Sequence, residues 1–127
     1  MMDEQRTPLV IDPAVLDRIW DDTGGDGEFV GEIIDEFIAD SRKRLAAFVD
    51  AIGVGDAATA GAMVHSLKGA GASVGAHALA DLALAAERAC RDGDVATASG
   101  LVAPLEAVLV KSTDALLTEK QRFGAER

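Results

Sequence analysis

Three short stretches, TGGDG at 23–27, GVGD at 53–56 and RDGD at 91–94, place glycine directly before or beside an aspartate. Each separates longer segments in which apolar residues recur at helical spacing. Glycine ends a helix readily, and an aspartate just after it can accept from the first free N–H groups of the next helix. Asp26, Asp56 and Asp94 are the caps expected from this pattern. A fourth break is expected at Gly75, and IDP at 11–13 offers Asp12 as a cap with Pro13 at the first helical position.

This punctuation divides the chain into helices and leaves no segment that reads as a strand. The periodicity predicts a short helix over 13–22, with Val15, Leu16, Ile19 and Trp20 on one side. A long helix follows over 27–52, with an apolar stripe of Phe29, Ile33, Phe37, Leu45, Phe48 and Ile52 and with Glu32, Glu36, Asp40 and Lys43 facing water. Helices over 57–73 and 76–92 come next. The last begins at 95 and carries Val95, Ala98, Leu101, Leu105, Val108, Leu109, Ser112 and Leu116. Pro104 interrupts that stripe, so a kink or a restart is expected there. Leu82, Leu84 and the run Val108–Val110 are core by default. The chain contains 24 alanines, no tyrosine and 4% aromatic residues, a mix suited to closely packed helices.

Four long amphipathic segments with short connections imply an all-α fold, an antiparallel four-helix bundle with a short N-terminal capping helix. One domain over 12–120 is expected, with residues 1–11 and 121–127 as loose termini. A bundle that completes its own four helices is expected to be a monomer.

Charge and composition exclude several classes of function. The net charge of −10 argues against sequence-independent nucleic-acid binding and against an anionic membrane surface. Cys90 is the only cysteine, which excludes an internal disulfide and fits a reducing compartment. The first ten residues show no basic region followed by an apolar core, so no secretory leader is expected. No uninterrupted apolar run approaches the ~20 residues of a membrane span. The expectation is a soluble, cytoplasmic protein.

The most informative segment is MVHSLKGAGASVGA, residues 63–76. On a helix, the positions within roughly 60° of His65 are 58, 61, 62, 68, 69 and 72. They hold Ala58, Gly61, Ala62, Lys68, Gly69 and Ala72, so apart from the lysine nothing exceeds a methyl group. The opposite face, with Ala60, Met63, Leu67, Ala70 and Val74, reads as core. A lone histidine is by default a surface residue, but an ordinary exposed face carries Glu, Lys and Arg. This face is bare around one imidazole.

HSLKGAGASVGA followed by LADLALAAE resembles the histidine-containing phosphotransfer (HPt) domain family of multistep phosphorelays. The pattern of His-x-Leu-Lys-Gly, then Gly-Ala, then an acidic or amide residue 22 positions after the histidine is matched by His65, Leu67, Lys68, Gly69, Gly75, Ala76 and Glu87. GGDGEFVGEIIDEFI at 24–38 is also similar to the family's approach to its long helix. One departure is that Ala70 and Gly71 fill small positions often held by Ser.

The resemblance implies a phosphocarrier that shuttles a phosphoryl group between aspartates of receiver domains and has no kinase activity of its own. It implies His65 as phosphohistidine, Lys68 as a charge brought to the phosphoryl oxygens, and Glu87 as acceptor of the Nδ1 proton, leaving Nε2 nucleophilic. For Glu87 a plain surface pair with Arg91, four residues on, is an equal alternative, and both can hold. Ala58, Gly61, Ala62, Gly69, Ala72 and Arg91 are the expected receiver-docking positions, Gly69 for clearance. The implied partners are response-regulator receiver domains or a hybrid histidine kinase. No cofactor is expected on this chain, since the Mg²⁺ of the transfer belongs to the receiver.

Three rivals carry different signatures. A histidine-kinase dimerisation domain places an acidic residue after its histidine, where Ser66 stands here. A helical-bundle adaptor binding receiver or kinase domains would take up no phosphate. A metal-binding bundle needs inward ligand pairs, and His77, twelve residues from His65, reads as a polar helix start. GAGASVGA lacks the Gly-Lys-Ser/Thr ending of a phosphate loop.

Overall fold

The computed structural model describes residues 10–125, which form six helices and, among the described residues, no strand. They are α1 (Pro13–Asp22), α2 (Gly27–Gly53), α3 (Ala57–Ser73), α4 (His77–Arg91), α5 (Val95–Gly100) and α6 (Val102–Ala125). The aspartate caps act as the sequence implies. Asp12 accepts from Ala14 N at 3.0 Å, Asp26 from Phe29 N at 2.9 Å, Asp56 from Thr59 N at 3.0 Å and Asp94 from Thr97 N at 3.0 Å. The Thr59 and Thr97 side chains, and next these backbone bonds, hold the Asp56 and Asp94 carboxyls below their ordinary range.

Helices α2, α3, α4 and α6 pack in a ring, each against its neighbours, which gives the expected up-and-down bundle. Pro104 marks a restart. The chain turns at Leu101, α6 begins at Val102, and Pro104 falls in its first turn, where a missing N–H leaves no bond unmade. By length and composition alone, Val95–Gly124 is apolar enough to cross a membrane. Within the bundle, however, Leu105, Leu109, Leu116 and Phe123 of this stretch face the protein core.

The buried stripes are displaced from the expected ones at three places. On α2 the buried set is Val30, Ile34, Phe37, Ser41, Leu45, Phe48, Ala51 and Ile52. Phe29 is exposed and Ile33 only partly covered, because the i, i+3, i+4 series that contains Phe37 and Phe48 passes through 30 and 34. Ser41 occupies a core position and satisfies its hydroxyl on Ile38 O. On α3, Val64 and Gly71 are buried in place of the expected Met63 and Ala70, and those two are partly covered. On α6, Val110 is exposed.

Helix α1 closes the end of the bundle where α2 begins and α6 ends. Its lead-in is tied to the α3–α4 turn by Asp12 N donating to Gly75 O at 2.9 Å. Gly75 has φ +82°, and a Cβ there would stand 2.6 Å from Asp12 O, so conformation and close approach both require glycine. Ile11 is buried and Val10 partly so, which extends the domain past the expected boundary at 12. Residues 1–9 and 126–127, expected as loose, lie outside the described residues.

The expected looseness of 121–125 is corrected outright. Phe123 is 1% exposed, with its ring centroid 5.5 Å from that of Trp20. Gly27 makes the room, since a Cβ there would meet Phe123 O at 2.7 Å. Arg122 covers the Phe123 ring at 4.3 Å and is paired with Asp17 and Glu119, each at 2.7 Å. Phe123→Ala should therefore destabilise the fold by about 3–5 kcal/mol, as other buried aromatic truncations do. Urea titration checks this, and a loss below ~1 kcal/mol would mean that the last turn frays after all.

Candidate functional site

Among the described residues, helices α3 and α4 share the most extensive contact, and many of the residues they bury are small. Helix α3 buries Ala60 and Gly71 beside Val64 and Leu67, and α4 buries Ala80, Ala83, Ala86 and Ala89 beside Leu79. A Cβ on Gly71 would come within 3.2 Å of Ala76 O, and one on Gly61 within 3.3 Å of Cys90 Cβ. Close approach of the two backbones brings side chains on their outer edges within hydrogen-bonding reach.

The outer edge carries the expected histidine and glutamate. His65 is 64% exposed at its side chain, and its Nδ1 lies 2.7 Å from Glu87 Oε2. Glu87 is 12% exposed, and its other oxygen, Oε1, accepts from Lys68 Nζ at 2.7 Å. Arg91 Nη2 reaches Oε2 at 3.4 Å. The two expectations for Glu87, a contact with the ring and a pair with Arg91, are both present.

The Lys68 bond holds the Glu87 carboxyl below the ordinary glutamate range, and the His65 bond adds to that against the opposing effect of burial. Glu87 is thus a carboxylate at neutral pH and can only accept. The proton in its contact with His65 must sit on Nδ1. In the neutral ring this puts the lone pair on Nε2, on a side chain that is mostly exposed.

The position of Lys68 differs from the expected one. Its ammonium is bonded to Glu87 Oε1, so in this state it supports the glutamate. Sequence spacing puts the lysine one turn from the histidine but carries no information on which neighbour holds it.

An open depression of about 440 Å³ lies in front of the ring, lined by Ala57, Ala58, Gly61, Ala62, His65, Ser66, Glu87, Cys90 and Arg91. Four expected docking positions, Ala58, Gly61, Ala62 and Arg91, therefore converge on it. Gly69 and Ala72 lie outside it, exposed further along α3. Ala57, Ser66 and Cys90 are additions that sequence reasoning misses. Cys90 sits opposite Gly61, a pairing across two helices that periodicity within either helix does not show. Burial pushes the Cys90 thiol up, away from thiolate chemistry. His77 lies beside Asp12, at 3.7 Å, and takes no part in the site.

The glycines of the motif separate into two kinds. A Cβ on Gly69 would meet nothing within 4 Å, whereas Gly71 is packed against α4.

Comparisons with known proteins bear on the family and the fold. The Hpt domain family model matches residues 32–119. Among solved structures, the chain is similar to histidine-containing phosphotransfer protein B from Pseudomonas aeruginosa PAO1, at 26% identity and a TM-score of 0.83, over 91% of this chain and 98% of that one. A rice structure described as a histidine-containing phosphotransfer protein shares the fold at 21% identity and a TM-score of 0.67, over 97% and 88% of the two chains. Among curated proteins, none matches the sequence.

Two measurements follow from the geometry. Nitrogen-15 NMR of the neutral His65 ring should show Nδ1 protonated and Nε2 bare, and Glu87→Ala should move the population towards the Nε2–H form. An unchanged tautomer in that variant would leave Glu87 without an orienting role. In thermal melts, Gly69→Gln should match or exceed the parent protein, since it gains helix propensity in open space. Gly71→Ala should lose about 1–2 kcal/mol through overpacking, despite its own propensity gain.

Proposed function

The chain belongs to the Hpt domain family, and from that premise we propose that His65 takes up a phosphoryl group from one receiver-domain aspartate and gives it to another. The observation that carries this reading is the Nδ1–Glu87 contact, which leaves an exposed Nε2 lone pair on an otherwise bare helical face. The Nε2 lone pair attacks phosphorus of the aspartyl phosphate. As the N–P bond forms, the P–O bond breaks and its electron pair leaves with the aspartate carboxylate. The positive charge that the ring gains is met by Glu87 across the Nδ1–H bond. The reverse sequence returns the group to a second aspartate.

In such a transfer, positioning and charge neutralisation supply most of the rate enhancement. The receiver brings the aspartate and a Mg²⁺ ion. This chain brings a correctly protonated nucleophile and a surface flat enough to be closed over. Lys68 acts here as a positioning residue, holding Glu87 while Glu87 holds the ring. The protein serves as a cytoplasmic phosphocarrier for response-regulator receiver domains or a hybrid histidine kinase, with no kinase activity of its own.

Incubation with a ³²P-phosphorylated receiver should label His65 alone, with an acid-labile and base-stable bond. His65→Gln should take up no label. Label retained in that variant, or mapped to His77, would sink the proposal. The well-folded Gly69→Gln variant should be labelled about 100-fold more slowly, because a long side chain beside the ring holds the partner away by an ångström or more.

A further inference from the structure

Glu87 divides three groups between its two oxygens, and they are not equivalent. Lys68 holds Oε1 at 2.7 Å with 31% of its side chain exposed, and it does not line the depression before the ring. Arg91 shares Oε2 with His65 Nδ1, so it stands on the histidine side of the carboxylate. Its contact is stretched to 3.4 Å, its side chain is 65% exposed, and it lines the depression. Arg88, the other basic residue of the last turn of α4, does not.

We propose that Arg91 is the phosphoryl-binding residue of this chain: when Nε2 is phosphorylated, the guanidinium leaves Glu87 and binds the phosphoryl oxygens, while Lys68 stays on Glu87. The inference rests on His65 being the phosphoacceptor. A phosphoryl group on Nε2 projects into the depression with a charge of about −2 and three strong acceptor oxygens. A planar guanidinium can meet two of those oxygens with parallel N–H bonds, which an ammonium cannot. Departure of Arg91 leaves Glu87 satisfied, with Lys68 on one oxygen and His65 on the other. Departure of Lys68 would instead strip Oε1 of a largely covered carboxylate, since Arg91 and His65 both lie on Oε2. The exposed, stretched contact is the one that exchanges.

Phosphorylation with potassium phosphoramidate tests this on the full chain with ¹⁵N-labelled arginine and lysine side chains. The Arg91 Nε–H signal should shift and exchange more slowly with water once His65 is phosphorylated, while the Lys68 ammonium signal stays in place. Arg91→Ala should slow transfer from a phosphorylated receiver at least ~10-fold, a modest share of what removing a charge-stabilising donor can cause. Arg91→Lys should recover part of that rate. The His65 tautomer should be unchanged in Arg91→Ala, which separates phosphoryl binding from support of the ring. A Lys68 signal that moves while Arg91 stays still, or a parental transfer rate in Arg91→Ala, would overturn the inference. Phosphorylation on a residue other than His65 would overturn the reading beneath it as well, whereas phosphorylated His65 with an unmoved Arg91 overturns this inference alone.

Discussion

The approach of α3 to α4 along a seam of alanine and glycine is the constraint on which the rest of the structure depends. Bulky residues would hold two helices about 10 Å apart, whereas small ones let the backbones come closer. At that separation a glutamate on one helix spans to a histidine and a lysine on the other. The alanine-rich composition is therefore part of the chemistry as well as the packing. Gly61 and Gly71 occupy places where even a methyl group would push against α4.

The ion pairs around Glu87 contribute little to holding the fold. Glu87 is largely covered but its cationic partners stay open to water, and pairs so screened add about 0–1 kcal/mol, while burial of one Leu or Phe contributes several times as much. Stability resides in Phe48, Leu67, Leu79, Leu105 and Phe123 and in the aspartate caps of α1, α2, α3 and α5. The polar cluster is thus laid on a scaffold that does not need it. This separation allows its residues to exchange partners without disturbing the bundle.

Much of this is legible in the sequence, for reasons that can be named. Helix limits are readable because each break carries its own chemistry, an aspartate cap or a glycine that can turn the chain. The bare face around His65 is readable because helical geometry fixes which residues share a surface. The start of the α2 core stripe misleads because Phe29 is large and apolar, yet the phase is set by the whole series and passes through Val30. Phe123 is hard to place because its partners, Trp20 and Gly27, lie at the other end of the chain. The partner of Lys68 is illegible for the same reason. Periodicity reports on one helix, and the bond from Lys68 to Glu87 depends on the register between two.

The site offers a single accepting nitrogen beside one open depression. In the proposed transfer a donor that covers His65 leaves nothing for a recipient to grip, so the two partners take turns. Under the proposed function, traffic through such a node is sequential: the loaded carrier is released into solution before it is unloaded, and an excess of either partner in its idle form competes with the other for the same surface. The concentration of carrier relative to its partners, and not only their affinities, then sets how fast a signal passes.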